Sequence, residues 1–204
     1  MNEPTPFAVL AKAHAAFRTG LHTLRHCLEA DNSQRFAAEW QAYKHAINVH
    51  MVMEDRGLFP LLRGIASRQM HAANLEAEHA DDLLLQARID RAIGANDSSA
   101  MSVAFEDWQS DFLAHLEHEE AVVVPLIGTL GGDERERARI FNTKILQPAI
   151  DHGGFERFLA CILKQLHEQD AADGFVRGLQ LGTTPDQWQR YLPIIQEHTQ
   201  HPTG

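Results

Sequence analysis

The chain repeats itself at a fixed offset. His14, His50, Glu54 and Pro60 recur as His79, His115, Glu119 and Pro125, each 65 positions downstream. The apolar positions keep the same register: Phe36, Trp40, Tyr43 and Ile47 correspond to Met101, Phe105, Trp108 and Phe112, and Leu10 and Leu75 each stand four residues before their histidine. Two copies of one helical unit bury their apolar faces most simply by packing against each other about a two-fold axis. That arrangement carries four imidazoles and two carboxylates to one place.

Length and charge narrow the alternatives. At 204 residues and 44% apolar content, the chain suits one domain with a sizeable core, or a domain plus an appendage. A net charge of −10, with no basic run, argues against nucleic-acid and anionic-membrane partners. Met1-Asn2-Glu3-Pro4 has no signal-peptide character, and no apolar stretch approaches the length of a membrane span, so the cytoplasm is the expected compartment. Cys27 and Cys161 are too few for a disulfide scaffold and lack metal-type spacing, so both are expected to be small buried apolar residues. The thirteen histidines, by contrast, need an explanation.

Apolar periodicity places most of them on helices. Phe7, Leu10, His14, Phe17, Leu21, Leu24 and Leu28 form one stripe, with Thr5 as N-cap and Pro6 at the first helical position. A second helix starts near Ser33, carries Phe36, Trp40, Tyr43, Ile47, His50 and Glu54 on one face, and ends around Pro60 to Gly64. A third runs from about Ser67 to Gly94 with Ala72, Leu75, His79, Leu83, Gln86, Ile89 and Ile93 inward. The fourth follows Asn96-Asp97-Ser98-Ser99 and turns Met101, Phe105, Trp108, Phe112, His115, Glu119, Val122 and Leu126 inward. Short connections make neighbours antiparallel, which predicts an all-α, up-down-up-down four-helix bundle over residues 1–130. Residues 131–204, after the Gly128 to Gly132 linker, read as a helical C-terminal extension, interrupted near Pro148 to Gly154. Its last helix opens at Thr184-Pro185, where Thr184 and Gln187 have capping-box spacing. With only scattered histidines (His152, His167, His198, His201), it is expected to pack on the bundle or to mediate self-association, as in a homodimer.

The chemistry rests on His50/Glu54 and His115/Glu119. Four residues advance a helix by about 400°, so both side chains of each pair leave one face a turn apart. One such pair is common by chance. Here all six residues fall on stripes otherwise made of Phe, Leu, Ile and Trp, and burying them without partners would cost several kcal/mol per charged group. Metal coordination removes that cost; a metal-free network of Glu-His pairs is the alternative. Six ligands exceed one tetrahedral zinc, and four imidazoles disfavour magnesium and calcium. A dinuclear site fits: with Glu54 and Glu119 bridging, each metal receives two imidazoles and two carboxylate oxygens, and an oxo or hydroxo bridge adds a fifth ligand. One position per metal stays open for a small diatomic or peroxide. Iron suits this donor set, with manganese or zinc as alternatives.

Other candidates are weaker. His118 stands about 60° round the helix from His115, opposite Met53 in the repeat, and reads as a supporting or surface residue. His22 and His26 lie off the Leu21, Leu24, Leu28 stripe. Tyr43 and Gln86, two turns from ligands, either pack or donate to the centre. Asp55 and Glu120 neighbour the favoured glutamates, but i+5 turns a side chain about 140° from its histidine.

The order His14, then His50-Met-Val-Met-Glu54, then His79, then His115-Leu-Glu-His-Glu119, together with Leu58-Phe-Pro-Leu-Leu62, resembles the hemerythrin-like (HHE cation-binding) family over about residues 5 to 128. The resemblance implies a non-haem centre of two iron ions held by His14, His50, Glu54, His79, His115 and Glu119. Oxygen-carrying hemerythrins add a fifth histidine four residues from the one on the third helix, where this chain has Leu75 and Leu83. The four-His, two-Glu set is closer to di-iron proteins of iron-sulfur cluster repair, whose Cys-bearing N-terminal segment this chain lacks. The expected function is binding of O2, NO or peroxide by a sensor, scavenger or store. The same ligands would also serve a redox enzyme, including repair-like iron handling, or a structural metal in an interaction module. No catalytic residue stands out beyond the ligands.

Overall fold

The computed structural model describes residues 6–166 and 169–199, and all of their regular structure is helical. Thr5, His167, His201 and the side chain of Ala72 lie outside the described residues. Helix α1 spans Ala8–Glu29, and α2 spans Ser33–Met53 after Asn32, whose side chain accepts from the Arg35 amide at 3.0 Å. Phe59–Ala73 forms α3, Leu75–Gly94 forms α4, and Ser98–Gly128 forms α5. Asp97 caps α5 by accepting from the Ala100 amide at 2.9 Å. These caps satisfy donors that the first turn leaves free.

Helices α1, α2, α4 and α5 close a ring of neighbours, α1 on α2, α2 on α4, α4 on α5 and α5 on α1. The repeat is visible across it. Ser33 Oγ lies 2.8 Å from Ser98 Oγ, and the Tyr43 ring sits 6.0 Å from the Trp108 ring, so each residue meets its own counterpart. A pseudo-two-fold axis therefore passes between α2 and α5. Around it Phe36, Trp40, Phe105, Trp108 and Phe112 fill the end of the bundle remote from the glutamates.

The copies differ where α2 ends. A π-helical turn, Glu54–Leu58, follows Met53 and leads into α3, whereas α5 runs unbroken through Glu119 and Pro125. An inserted residue of this kind widens one helical turn and re-aims the side chains on it. The expected third helix is also divided. Residues 67–73 belong to α3, which is broken at Ala66 (φ −138°, ψ 47°), and Asn74 turns the chain in a left-handed conformation (φ 54°) before α4. Asparagine tolerates that region better than most residues. On α4, Leu83 is 49% exposed and Asp82 is buried in its place. The inward face follows Leu75, His79, Asp82, Gln86 and Ile89, and Asp82 is satisfied there by Trp108 Nε1 at 2.6 Å and by the Gln86 amide.

The C-terminal region comprises α6 (Glu134–Ile140), a second π-helical turn (Phe141–Leu146), α7 (Gln147–His152), α8 (Phe155–Gln165), α9 (Gln169–Gly182) and α10 (Pro185–Thr199). Gly153 and Gly154 both take positive φ at the α7–α8 corner. Thr184 and Gln187 form the reciprocal cap of α10, amide to Oε1 at 2.9 Å and amide to Oγ1 at 3.2 Å. Helices α7 and α8 pack on α2, α9 on α1, and α10 on α8, extending one apolar core through Phe155, Phe158, Phe175 and Tyr191. The two π-turns touch, and Gly57 leaves no room for a Cβ beside the Lys144 carbonyl. Among the described residues no helix is long and apolar enough to cross a membrane.

Candidate metal centre

Each of the four ring helices, with the turn that ends α2, brings part of a buried polar cluster to one level. His14 comes from α1, His50 from α2, Glu54 from the π-turn, His79 from α4, and His115 and Glu119 from α5; each is at most 8% exposed. One ligand atom from each of His14, His50, Glu54 and Glu119 lies within 4.8 Å of the others. Their partners fall into two halves. Nε2 of His14 and Nε2 of His50 are 3.0 Å apart, and Nε2 of His79 and Nε2 of His115 are 3.2 Å apart. Glu54 spans both pairs, 2.8 Å from His50 Nε2 and 3.5 Å from His79 Nε2. Glu119 does the same, 3.3 Å from His14 Nε2 and 3.9 Å from His115 Nε2.

The outer nitrogens set the orientation of three of these rings. His14 Nδ1 meets Glu120 Oε1 at 2.9 Å, and its repeat counterpart His79 Nδ1 meets Asp55 Oδ1 at 2.8 Å. The i+5 carboxylates thus face the outer edges of the imidazoles, on the far side from Glu54 and Glu119. His115 Nδ1 meets Glu78 Oε2 at 2.7 Å. In the neutral imidazole a carboxylate on Nδ1 holds the one ring proton there and leaves the Nε2 lone pair facing the centre. Phe17 packs on His50 and Phe59 stacks on His79, with ring centroids 5.2 and 5.5 Å apart, so apolar walls enclose the polar atoms.

Electrostatics without a cation are strained. Burial opposes charge on His14, but its contacts with Glu119 and Glu120 outweigh burial and raise its pKa to about 9. Burial likewise opposes charge on Glu119, and the His14 contact overcomes it to hold the carboxyl at about 2. Glu54 is pushed well above the usual carboxylate range by burial and by the facing Glu119 carboxylate. Burial drives His50 well below the usual imidazole value, with His14 adding to the effect, and lowers His115 as well. A fixed positive charge between the two glutamates would relieve these conflicts together.

The remaining candidates lie elsewhere. His22 and His26 are exposed. His118 is half-buried and meets Glu78 Oε1 at 2.7 Å. The Tyr43 hydroxyl donates to the Phe17 carbonyl at 2.6 Å, and Gln86 serves Asp82, so neither reaches the six-residue cluster by a hydrogen bond. Cys27 is buried and Cys161 is half-buried; neither touches the centre. Sequence reading passed over Glu78 and Asp82. Asp82 interrupts an apolar face, a legible anomaly, but Glu78 has no counterpart in the repeat, where position 13 is alanine.

Whether a metal fits is answered by the orphaned atoms. Among the described residues, five buried side-chain polar atoms lack a hydrogen-bond partner, and four belong to this cluster: His50 Nδ1, both Glu54 oxygens and Glu119 Oε2. The short separations from imidazole nitrogens are therefore not aligned hydrogen bonds. His50 Nδ1 is on the ring edge away from Glu54 and so is not satisfied by the centre, but buried carboxylate oxygens such as these three are seldom left so unless a water or an ion is their partner. Imidazole nitrogens beside carboxylate oxygens are a donor set that suits borderline transition-metal cations, and His79 and His115 stand next to the tight group of His14, His50, Glu54 and Glu119. The family model of the hemerythrin HHE cation-binding domain matches residues 5–127. Neither a curated protein nor a solved structure matches the chain.

Proposed function

From the chain's membership of the hemerythrin HHE cation-binding family, we propose that this protein is a non-haem di-iron protein that binds a small ligand such as O2, NO or peroxide, as a sensor, scavenger or store. The observation that carries this reading is the shared position of Glu54 and Glu119, each set between one imidazole of either pair. His14 and His50 would hold one cation, His79 and His115 the other, and the two carboxylates would bridge them. Iron bound there would supply a redox-active Lewis acid with positions left open by the protein.

The chain's own residues supply the rest. Asp55, Glu78 and Glu120 orient the imidazoles, and Phe17 and Phe59 keep water from their faces. An apolar cavity of about 190 Å³, lined by Phe7, Leu10, Val123 and Ile127, reaches His14 and Glu119. Its size and lining suit a small neutral ligand and offer nothing to an extended polar substrate. In the same reading α1, α2, α4 and α5 form an up-down-up-down bundle, and the described residues beyond 130 are an appended helical region sealing its α1–α2 side.

Anaerobic reconstitution with Fe(II) tests the reading. About two equivalents per chain are expected, as the six-donor set requires, with optical and EPR changes on exposure to NO. A folded sample that takes up one zinc and no iron, or an iron-loaded sample silent to NO, overturns it.

A further inference from the structure

The six inner residues obey the repeat; the groups behind them do not. Around His79 and His115 both outer nitrogens are held by carboxylates, Asp55 and Glu78. Around His14 and His50 only His14 has one, Glu120, and His50 Nδ1 is buried without a partner. The residue 65 positions before Glu78 is Ala13, which has no group to offer His50. Glu120 is also largely neutralised, because Arg18 grips it with two hydrogen bonds of 2.7 and 3.1 Å. The repeat counterpart of Arg18 is Leu83, exposed on α4 and uncharged. One half of the centre is thus backed by two carboxylates, of which Glu78 shares its second oxygen with His118, the other by a carboxylate already paired with a guanidinium.

The surroundings add to the difference. A cavity of about 320 Å³ lies against His115 and is lined by Glu78, Asp81, Asp82, Asp111 and His118, whereas the cavity against His14 is apolar. Carboxylates behind a ligating imidazole raise its basicity, and net negative charge near a dication favours it directly.

We propose that the two metal positions are unequal, the one at His79 and His115 taking the first divalent cation and holding it more tightly, with Glu78 as the residue that makes the difference. This inference rests on the two-metal reading above. Glu78 is a positioning residue: it acts through His115 and touches no metal itself. Removing an outer partner of a ligating histidine typically costs 10–100-fold in metal affinity.

The test is an anaerobic titration of the metal-free full chain with Co(II), followed by absorption and calorimetry, together with anomalous diffraction from crystals given half an equivalent of Co(II) per chain. Two resolved steps are expected, at least about tenfold apart, with anomalous density concentrated between His79 and His115. Glu78→Gln should weaken the first step by about 10–100-fold, leave the second nearly unchanged and bring the two together. Two equivalents bound in one step, equal anomalous density at both positions, or equal weakening of both steps by Glu78→Gln overturns the proposal while leaving the two-metal reading standing. Uptake of a single equivalent by the folded wild type overturns both. The diffraction measurement uses wild-type protein and decides the question even if the variant fails to fold.

Discussion

Glu54→Gln should move the stability of the metal-free protein and its capacity for metal in opposite directions. Glu54 is fully buried, and burial together with the Glu119 carboxylate raises its pKa well above the ordinary value. The metal-free fold therefore keeps a proton that the unfolded chain releases above about pH 4.3. For an acid whose folded pKa is raised, the favourable contribution is complete below the unfolded pKa and declines as pH climbs toward the folded one. The decline is about 1.4 kcal/mol per pH unit within that window. Glutamine keeps the volume, can donate an N–H toward Glu119 and has no proton to lose. The advantage of the metal-free variant over metal-free wild type should therefore grow with pH, by up to about 1.4 kcal/mol per unit. At roughly 3 °C per kcal/mol for a chain of this size, that is about 4 °C in Tm per pH unit. A neutral amide is a poor bridge between two cations, so loading with Fe(II) or Co(II) should reverse the order, raising the wild type and barely moving the variant. Calorimetric melts of both proteins between pH 5 and 7.5, with and without metal, check both halves. A gap that does not change with pH, or a metal-free variant less stable throughout, would refute the reasoning: Glu54 would then be ionised and well partnered, and the cluster would be a self-sufficient polar network.

Three further outcomes are expected. His14, held protonated to about pH 9 by Glu119 and Glu120 against the effect of burial, must lose that proton before Nε2 can bind a cation. Loading at pH 7 should thus release this proton together with the one Glu54 keeps and strengthen by up to about tenfold per pH unit for each proton released; calorimetry in buffers of differing ionisation enthalpy measures this, and absence of proton release speaks against it. Gly57→Ala would drive a Cβ into the Lys144 carbonyl, backbone that cannot swing aside, and should cost at least about 1–3 kcal/mol in urea denaturation; an unchanged midpoint would mean that the two π-turns do not press together. Joint replacement His22→Ala and His26→Ala removes two exposed rings and should leave metal stoichiometry at the wild-type value, with any loss detected by metal analysis pointing to a site outside the cluster.

The repeat and its periodicity make the helical class, the starts of α2, α5 and α10, and the six inward residues readable from sequence alone, because these follow from local rules. An amphipathic stripe sets which side of a helix is buried, Asn32, Asp97 and Thr184 satisfy amides within a turn, and a duplicated sequence packs on its copy. The division of the third helix at Asn74 and the π-turns at Glu54–Leu58 and Phe141–Leu146 were not readable. They depend on what the chain meets elsewhere, Gly57 on the Lys144 carbonyl being the contact that sets one turn against the other. The exchange of Leu83 for Asp82 on the inner face has the same cause: a carboxylate is tolerated there because Trp108 and Gln86, from other turns, donate to it. The outer partners show the limit best. In sequence Asp55 and Glu120 stand out only as i+5 alternates to the favoured glutamates and Glu78 not at all, and only the approach of α1, the π-turn after α2, α4 and α5 to one another puts them behind His79, His14 and His115. Local sequence determined which groups point inward, since that is a property of one helix at a time. The tertiary structure decided which imidazole has a carboxylate behind it and which has none, since that is a property of pairs of helices brought within about 3 Å hydrogen-bonding distance.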